Sequence, residues 1–238
     1  MPSAPKWLFD AVDLIITKLS SITINNVELL SASLKRIRFK GDFSKINFPV
    51  GAYIDFRVNA TDARRYTISK VDLEKGILEI IVHLHGDGPG SHFMNSLKQG
   101  DVIDLNRPRS ERNYYAKSAE RLLIFGDETS LGLACAFLPE LKKRGHQYLY
   151  HLELDEENWN VPEQLGLEHF SIFPKNGSFQ NEAWLDQLAI FHHPEWQHAH
   201  YVLTGNATSA QAFKKAIKRN TNGKIFLHGY WLAGKKGL

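Results

Sequence analysis

Arg121-Leu122-Leu123-Ile124-Phe125-Gly126-Asp127-Glu128-Thr129-Ser130-Leu131-Gly132 is where the character of the chain changes. The run to Gly126 is apolar and unbroken after Arg121, as expected of a strand covered on both faces in a parallel sheet. A polar turn follows it and opens a helix-like segment, residues 130–144, that Gly145 stops. Beyond lie a strand over 147–154, another over 201–205, a helix from about 208 to 219, and a last strand over 224–228. Strands alternating with helices imply a parallel α/β sheet.

Upstream of that stretch the pattern has a period of two. Residues 22 to 39 alternate apolar with polar (Ile22, Ile24, Val27, Leu34, Ile37, Phe39), and short β-branched and aromatic runs follow at 53–58, 66–69, 77–84 and 102–105. Gly41-Asp42, Pro49-Val50-Gly51, Glu74-Lys75-Gly76 and Gly100-Asp101 separate them. Such spacing suggests a small antiparallel barrel or sandwich. Residues 5–20 read as a short amphipathic helix in front of it. The polar, Arg-rich stretch 106–120 is the natural boundary, giving domains over 1–117 and 118–238.

Composition narrows the function. A chain of 238 residues has room for two small cores. With 29 Lys+Arg against 26 Asp+Glu, its charge of +3 gives no nucleic-acid signal. The single cysteine, Cys135, excludes an internal disulfide and a metal site of several thiolates. No apolar window is long enough to cross a membrane. The first residues lack the pattern of a signal peptide, so the expected compartment is the cytoplasm.

Three segments carry chemistry. In Arg64-Arg65-Tyr66-Thr67-Ile68-Ser69, Arg64 and Tyr66 share one face of a strand. An arginine there suits a pyrophosphate, the aromatic ring suits a flat flavin, and Thr67 can hydrogen-bond near the ring's reactive nitrogen. An exposed edge strand with a core aromatic explains the same residues. In His83-Leu84-His85-Gly86-Asp87-Gly88-Pro89-Gly90-Ser91, glycines and a proline lead into a short helix over 91–97. Bare backbone N–H groups at such a start suit a phosphate, and Ser91 either caps the helix or binds a phosphate oxygen. A plain Gly-Pro turn is the alternative. His83 and His85 form a His-x-His pair with no third ligand at a recognisable spacing, so no resident metal is expected. The third segment is the Gly126–Gly132 turn itself, which is repeated at Thr204-Gly205-Asn206-Ala207-Thr208. Ligands of open α/β sheets bind beyond such strand ends, although helix capping accounts for the polar residues too.

Together these segments resemble the siderophore-interacting protein family of FAD-dependent ferric-siderophore reductases, relatives of the ferredoxin reductase-like superfamily. Its Arg-x-Tyr-Thr pattern is matched by Arg64, Tyr66 and Thr67. His85, Gly86, Gly88, Pro89 and Ser91 match His-Gly…Gly-Pro-Ala-Ser, with Gly90 in place of the alanine. Asp127, Glu128 and Thr129 match Asp-Glu-Thr, and Gly229, Tyr230, Trp231 and Gly234 match Gly-Tyr-Trp-x-x-Gly. Departures fall at Arg107, Asn206 and Leu232, where many members carry glycine, glutamate and arginine.

The resemblance implies a β plus α/β chain: a six-stranded antiparallel FAD-binding barrel followed by a parallel-sheet nicotinamide-binding domain. It implies that Arg64, Tyr66, Thr67, Ile68, His83, His85, Gly88, Pro89, Gly90 and Ser91 bind FAD. Asp127, Glu128, Thr129, Gly205 and Asn206 would line the site for NADPH or NADH, and Tyr230 and Trp231 would lie close to the flavin, where nicotinamide or substrate must enter. Tyr66, Thr67 and Trp231 would act at the reacting ring. The partner implied is a ferric siderophore, with reduced ferredoxin as another donor and the chain a monomer. Many ferric siderophores are anionic, so Arg107, Arg109 and Arg112, or Lys235 and Lys236, would steer them; solvated surface charge accounts for both groups as well. The acidic run Asp155-Glu156-Glu157 after the second α/β strand would disfavour a 2′-phosphate if it faces the ribose. A general flavin-dependent ferric or ferredoxin-linked reductase is one alternative function, and a siderophore-binding protein without enzymatic activity is another.

Overall fold

The computed structural model describes residues 4–8, 18–110 and 114–235. The chain divides into two compact units, Met1–Asn113 and Tyr114–Lys236. Tyr114 and Tyr115, which a boundary after residue 117 gives to the first domain, pack inside the second. Tyr114 Oη meets His228 Nδ1 at 2.5 Å, and Tyr115 Oη meets His146 Nε2 at 2.6 Å.

The first unit contains β1 (Lys18–Leu29), β2 (Leu34–Lys40), β3 (Tyr53–Arg57), β4 (Ala63–Asp72), β5 (Ile77–His83) and β6 (Val102–Asn106). They form one antiparallel sheet in the order β3-β4-β5-β2-β1-β6. Its two end strands meet. Tyr53 N donates to Arg109 O at 2.9 Å and Arg109 N to Tyr53 O at 3.0 Å, while Asn106 Nδ2 donates to Asp55 O at 2.7 Å. This resolves barrel against sandwich: the sheet is a nearly closed barrel, which leaves few unpaired edge groups. Alternate residues of the strands turn inward, and Ile24, Ile37, Phe39, Ile54, Leu78, Ile80 and Val82 are fully enclosed. The expected helix over 5–20 is corrected at its end. Residues 6–8 are helical and 9–17 lie outside the described residues, but from Lys18 the chain is a strand because Asn106 and Leu105 pair with Lys18 and Leu19.

A helix, Pro89–Ser96, packs against the barrel core through Met94, with Leu97 just beyond it. Burying Met94 is worth roughly 1.5–3 kcal/mol to that docking. The helix starts two residues before the expected Ser91, since Pro89 occupies its first turn and Gly88 is the extended cap.

The second unit has β7 (Arg121–Gly126), β8 (Gln147–Leu154), β9 (Phe170–Pro174), β10 (His200–Leu203) and β11 (Lys224–Leu227), all parallel, in the order β11-β10-β7-β8-β9. Helices Leu131–Arg144 and Ala207–Asn220 follow β7 and β10. The first ends on Gly145, whose left-handed backbone (φ 66°) suits a residue without a side chain. Phe125, Phe179, Phe213, Tyr201 and Leu203 centre the core. Strand β9 was not expected from the sequence: Phe-Ser-Ile-Phe-Pro is five residues long and ends on proline. Among the described residues no helix is long and apolar enough to cross a membrane.

Candidate functional site

In the first unit β4 carries Arg64, Tyr66 and Ile68 on one face and Arg65 and Thr67 on the other, by simple alternation. Tyr66 sets its ring edge-on to Phe56, at 5.6 Å and 79°. Burial pushes its phenol up to about 12, so it stays a neutral O–H at physiological pH. The start of the Pro89–Ser96 helix closes on this pair. A Cβ at Gly90 would lie 2.9 Å from Arg64 Cγ and 3.0 Å from Tyr66 Oη. Glycine is what lets the backbone approach so closely. The arginine, the aromatic ring and the glycine loop therefore converge.

The electrostatics of this corner suit an anion. Arg64 gives Nη1 to Ala63 O at 2.8 Å and Nη2 to Asp62 Oδ1 at 3.4 Å, so two of its five N–H donors are used. The helix has no side-chain cap and no acidic residue in its first turn. Its first-turn N–H groups lack intrahelical acceptors, which is the usual setting for phosphate.

Two residues hold the helix in place. Ser91 Oγ accepts from His85 N at 3.1 Å and donates to His85 O at 3.0 Å, so it pins the preceding loop rather than capping the helix. At the other end Lys35, only 4% exposed, donates from Nζ to Met94 O, Asn95 O and Leu97 O at 2.9, 2.9 and 3.0 Å. That ammonium satisfies carbonyls a helix C-terminus otherwise leaves bare. Lys35 was missed in the sequence, although the signal was present: it stands on the inward parity of β2 with Ile37 and Phe39.

The other expected residues of this unit are placed as follows. Ile68 is a core residue whose N–H bonds Ala52 O at 2.9 Å. Thr67 stands opposite Tyr53 in the register. The His83 and His85 rings are 5.4 Å apart. Arg107 is exposed. Arg109 is committed to closing the barrel, because its guanidinium pairs with Asp55 and lies over the Tyr53 ring, 5.6 Å from its centroid. Arg112 lies outside the described residues.

In the second unit the strand order reverses between β7 and β10, and the two chemical turns of the sequence sit at the carboxyl ends of these strands. Asp127, 1% exposed, ties them together. Its Oδ1 accepts from Thr129 N (2.9 Å) and Thr129 Oγ1 (2.5 Å), and its Oδ2 from Asn206 N (2.8 Å) and Trp231 Nε1 (2.6 Å). Gly205 has φ 81°, and a Cβ there would lie 2.7 Å from the Asp127 carboxyl carbon. The Gly229–Trp231 segment is laid on the same turn: Tyr230 N donates to Gly205 O at 2.8 Å and Ala207 N to Trp231 O at 2.9 Å. Asn206 caps the Ala207–Asn220 helix through Thr208 N. The structure thus gathers Asp127, Thr129, Gly205, Asn206, Tyr230 and Trp231 at one switch point.

Glu128 goes elsewhere. It is buried, accepting at Oε1 from Asp155 N (2.8 Å) and Asn158 Nδ2 (3.0 Å), and Lys175 pairs with its Oε2. Lys235 is exposed, and Lys236 lies outside the described residues.

In fold, the two units match the FAD-binding and NAD-binding domains of ferredoxin reductase-like proteins. Residues 21–114 match the family described as "Oxidoreductase FAD-binding domain". The phthalate dioxygenase reductase structure aligns with a TM-score of 0.73 at 14% identity, over 98% of this chain and 72% of that one. The siderophore-interacting protein SipS from Aeromonas hydrophila aligns with a TM-score of 0.70 at 20% identity, over 93% of this chain and 94% of that one. In sequence, 127 residues are 24% identical to the plasma membrane-associated coenzyme Q6 reductase PGA3 of Saccharomyces cerevisiae, 51% of this chain and 41% of that protein. The chain therefore spans about two fifths of that curated relative's length. The structural likenesses are likenesses of fold.

Proposed function

We propose that the chain is a flavoprotein reductase that takes electrons from NAD(P)H, or from reduced ferredoxin, and delivers them through FAD to siderophore-bound Fe(III). The observation that carries the flavin part is the Gly90 approach, 2.9 Å from its absent Cβ to Arg64 Cγ, which builds a cradle a larger residue would fill. The residues present fit the cofactor. Arg64 and the start of the Pro89–Ser96 helix would hold the pyrophosphate, and the neutral Tyr66 ring would wall the flavin. When bound, FAD supplies the exchange between two-electron and one-electron chemistry. The chain's own work is to bind and orient: Asp127 holds the Trp231 indole at the end of β10, and no acid–base group is required for electron transfer.

The siderophore part is supported by end-to-end likeness to SipS, a protein of almost the same extent. Iron would leave because the siderophore's hard oxygen donors hold Fe(II) less tightly than Fe(III). The test is direct. Purified protein should absorb as a flavoprotein and release FAD on denaturation, and under anaerobic conditions a ferric siderophore plus NADH or NADPH should yield chelatable Fe(II). Failure to take up FAD overturns the reading. A second reading, a reductase for other acceptors, is favoured by the coenzyme Q6 reductase relative; faster turnover of a soluble quinone or ferricyanide than of any ferric siderophore would select it.

A further inference from the structure

We propose that the nucleotide site of the second unit selects a ribose with a free 2′-hydroxyl, NADH, and rejects the 2′-phosphate of NADPH. The proposal rests on the reductase reading and names its electron donor. In the strand order of this sheet β8 lies beside β7, and residues just past its carboxyl end are where a dinucleotide-binding sheet meets the adenosine ribose.

That end of β8 is built of carboxylates. Asp155, Glu156 and Glu157 follow the strand and are exposed, the last two opening a short helical turn, Glu156–Asn158. The turn is not loose. Glu128, buried beneath it, grips Asp155 N and Asn158 Nδ2 at 2.8 and 3.0 Å. Glu153, the last-but-one residue of β8, is 4% exposed. Burial, reinforced by Asp127 and Glu128, raises its carboxyl above the ordinary range.

A 2′-phosphate needs a cation, and among the described residues Lys175, which meets this group, is already engaged. Lys175, just beyond β9, is held between Glu128 and Asp155, with 3.1 Å to Asp155 Oδ2. Six carboxylates (Asp127, Glu128, Glu153, Asp155, Glu156, Glu157) therefore stand at the ends of β7 and β8 with Lys175 between two of them. A phosphate carrying about −1.5 to −2 charge would be repelled, whereas a hydroxyl can donate to Asp155.

The test uses the full chain with FAD bound and two redox-silent probes, ADP-ribose and 2′-phospho-ADP-ribose, in titration calorimetry. ADP-ribose should bind at least tenfold more tightly, with the ratio shrinking as salt rises. Asp155→Asn, checked for unchanged FAD content, should lower the ratio at least threefold by removing a charge and loosening Lys175. Equal binding, or tighter binding of the phosphorylated probe, overturns the proposal, and an unchanged ratio in the variant overturns the part given to Asp155. Binding of neither probe overturns it through the donor site, while failure of the flavin reading shows separately as absence of flavin absorbance.

Discussion

Lys35→Met removes one ammonium from the barrel wall while keeping the length and apolar stem of the side chain. Three carbonyls lose a charged donor at 2.9–3.0 Å. Asn95 is exposed, so its carbonyl recovers a bond to water, but Met94 and Leu97 are 0% and 6% exposed. Two carbonyls left bare in such surroundings cost about 1–3 kcal/mol each. The variant no longer desolvates a cation, and its thioether gains some burial, which returns about 1–2 kcal/mol. The net loss spans about 0–5 kcal/mol and centres near 2.5, or a fall of roughly 10 °C in the melting temperature of a domain this size. The helix should detach from its C-terminal end, and with it the Gly88–Ser91 start that faces Arg64 and Tyr66. FAD affinity should therefore fall along with stability. Urea unfolding of the flavin-free protein followed by circular dichroism, and titration of FAD followed by quenching of flavin fluorescence, measure the two effects. The exposed Lys70→Met is the control, expected within about 0.5 kcal/mol of the parent. A Lys35→Met protein within 1 kcal/mol of the parent, binding FAD equally well, would refute the reasoning.

Arg64→Ala should weaken FAD binding about 10–100-fold, the worth of a charge-assisted hydrogen bond to phosphate; equal affinity in equilibrium dialysis would take Arg64 out of the cradle. The Asp127 and Trp231 side chains, 2.6 Å apart at Oδ2 and Nε1, should show a coupling of about 1.5–3 kcal/mol in a double-mutant cycle of Asp127→Asn and Trp231→Phe. Additive losses in urea titrations would show that the bond does not hold the indole. Burial among Phe173 and Phe213 pulls the His151 imidazole down from 6.5 to about 3. Between those values the unfolded chain binds a proton that the folded chain refuses, so stability falls as pH drops from 6.5 toward 3, by up to about 1.4 kcal/mol per pH unit. His151→Leu should flatten that slope relative to the parent. Parallel pH–stability curves for the two proteins would mean that His151 is not held neutral.

Local periodicity in the chain was enough to read most of this molecule. The alternation of Ile22, Ile24, Ile37 and Phe39 and the apolar run of β7 follow from which faces are buried, and burial leaves its mark on each residue in turn. The pairing of Arg64 with Tyr66 on one side of β4 is likewise a consequence of the strand's two-residue repeat. Strand β9 escaped because Ser171 interrupts its apolar run and Pro174 ends it, whereas the apolar runs of β10 and β11 are unbroken. Closure of the barrel depended on Tyr53 meeting Arg109, and that same contact turned an arginine expected at the substrate entrance into a barrel strut. Lys35 stood visibly out of place on an apolar face, but its acceptors lie about 60 residues away. That the Gly205 turn and Trp231 both close on the Asp127 carboxylate was likewise not legible in the sequence. A repeat along the chain records which side of an element is buried, whereas the partner of a buried charge is fixed only when distant segments pack together.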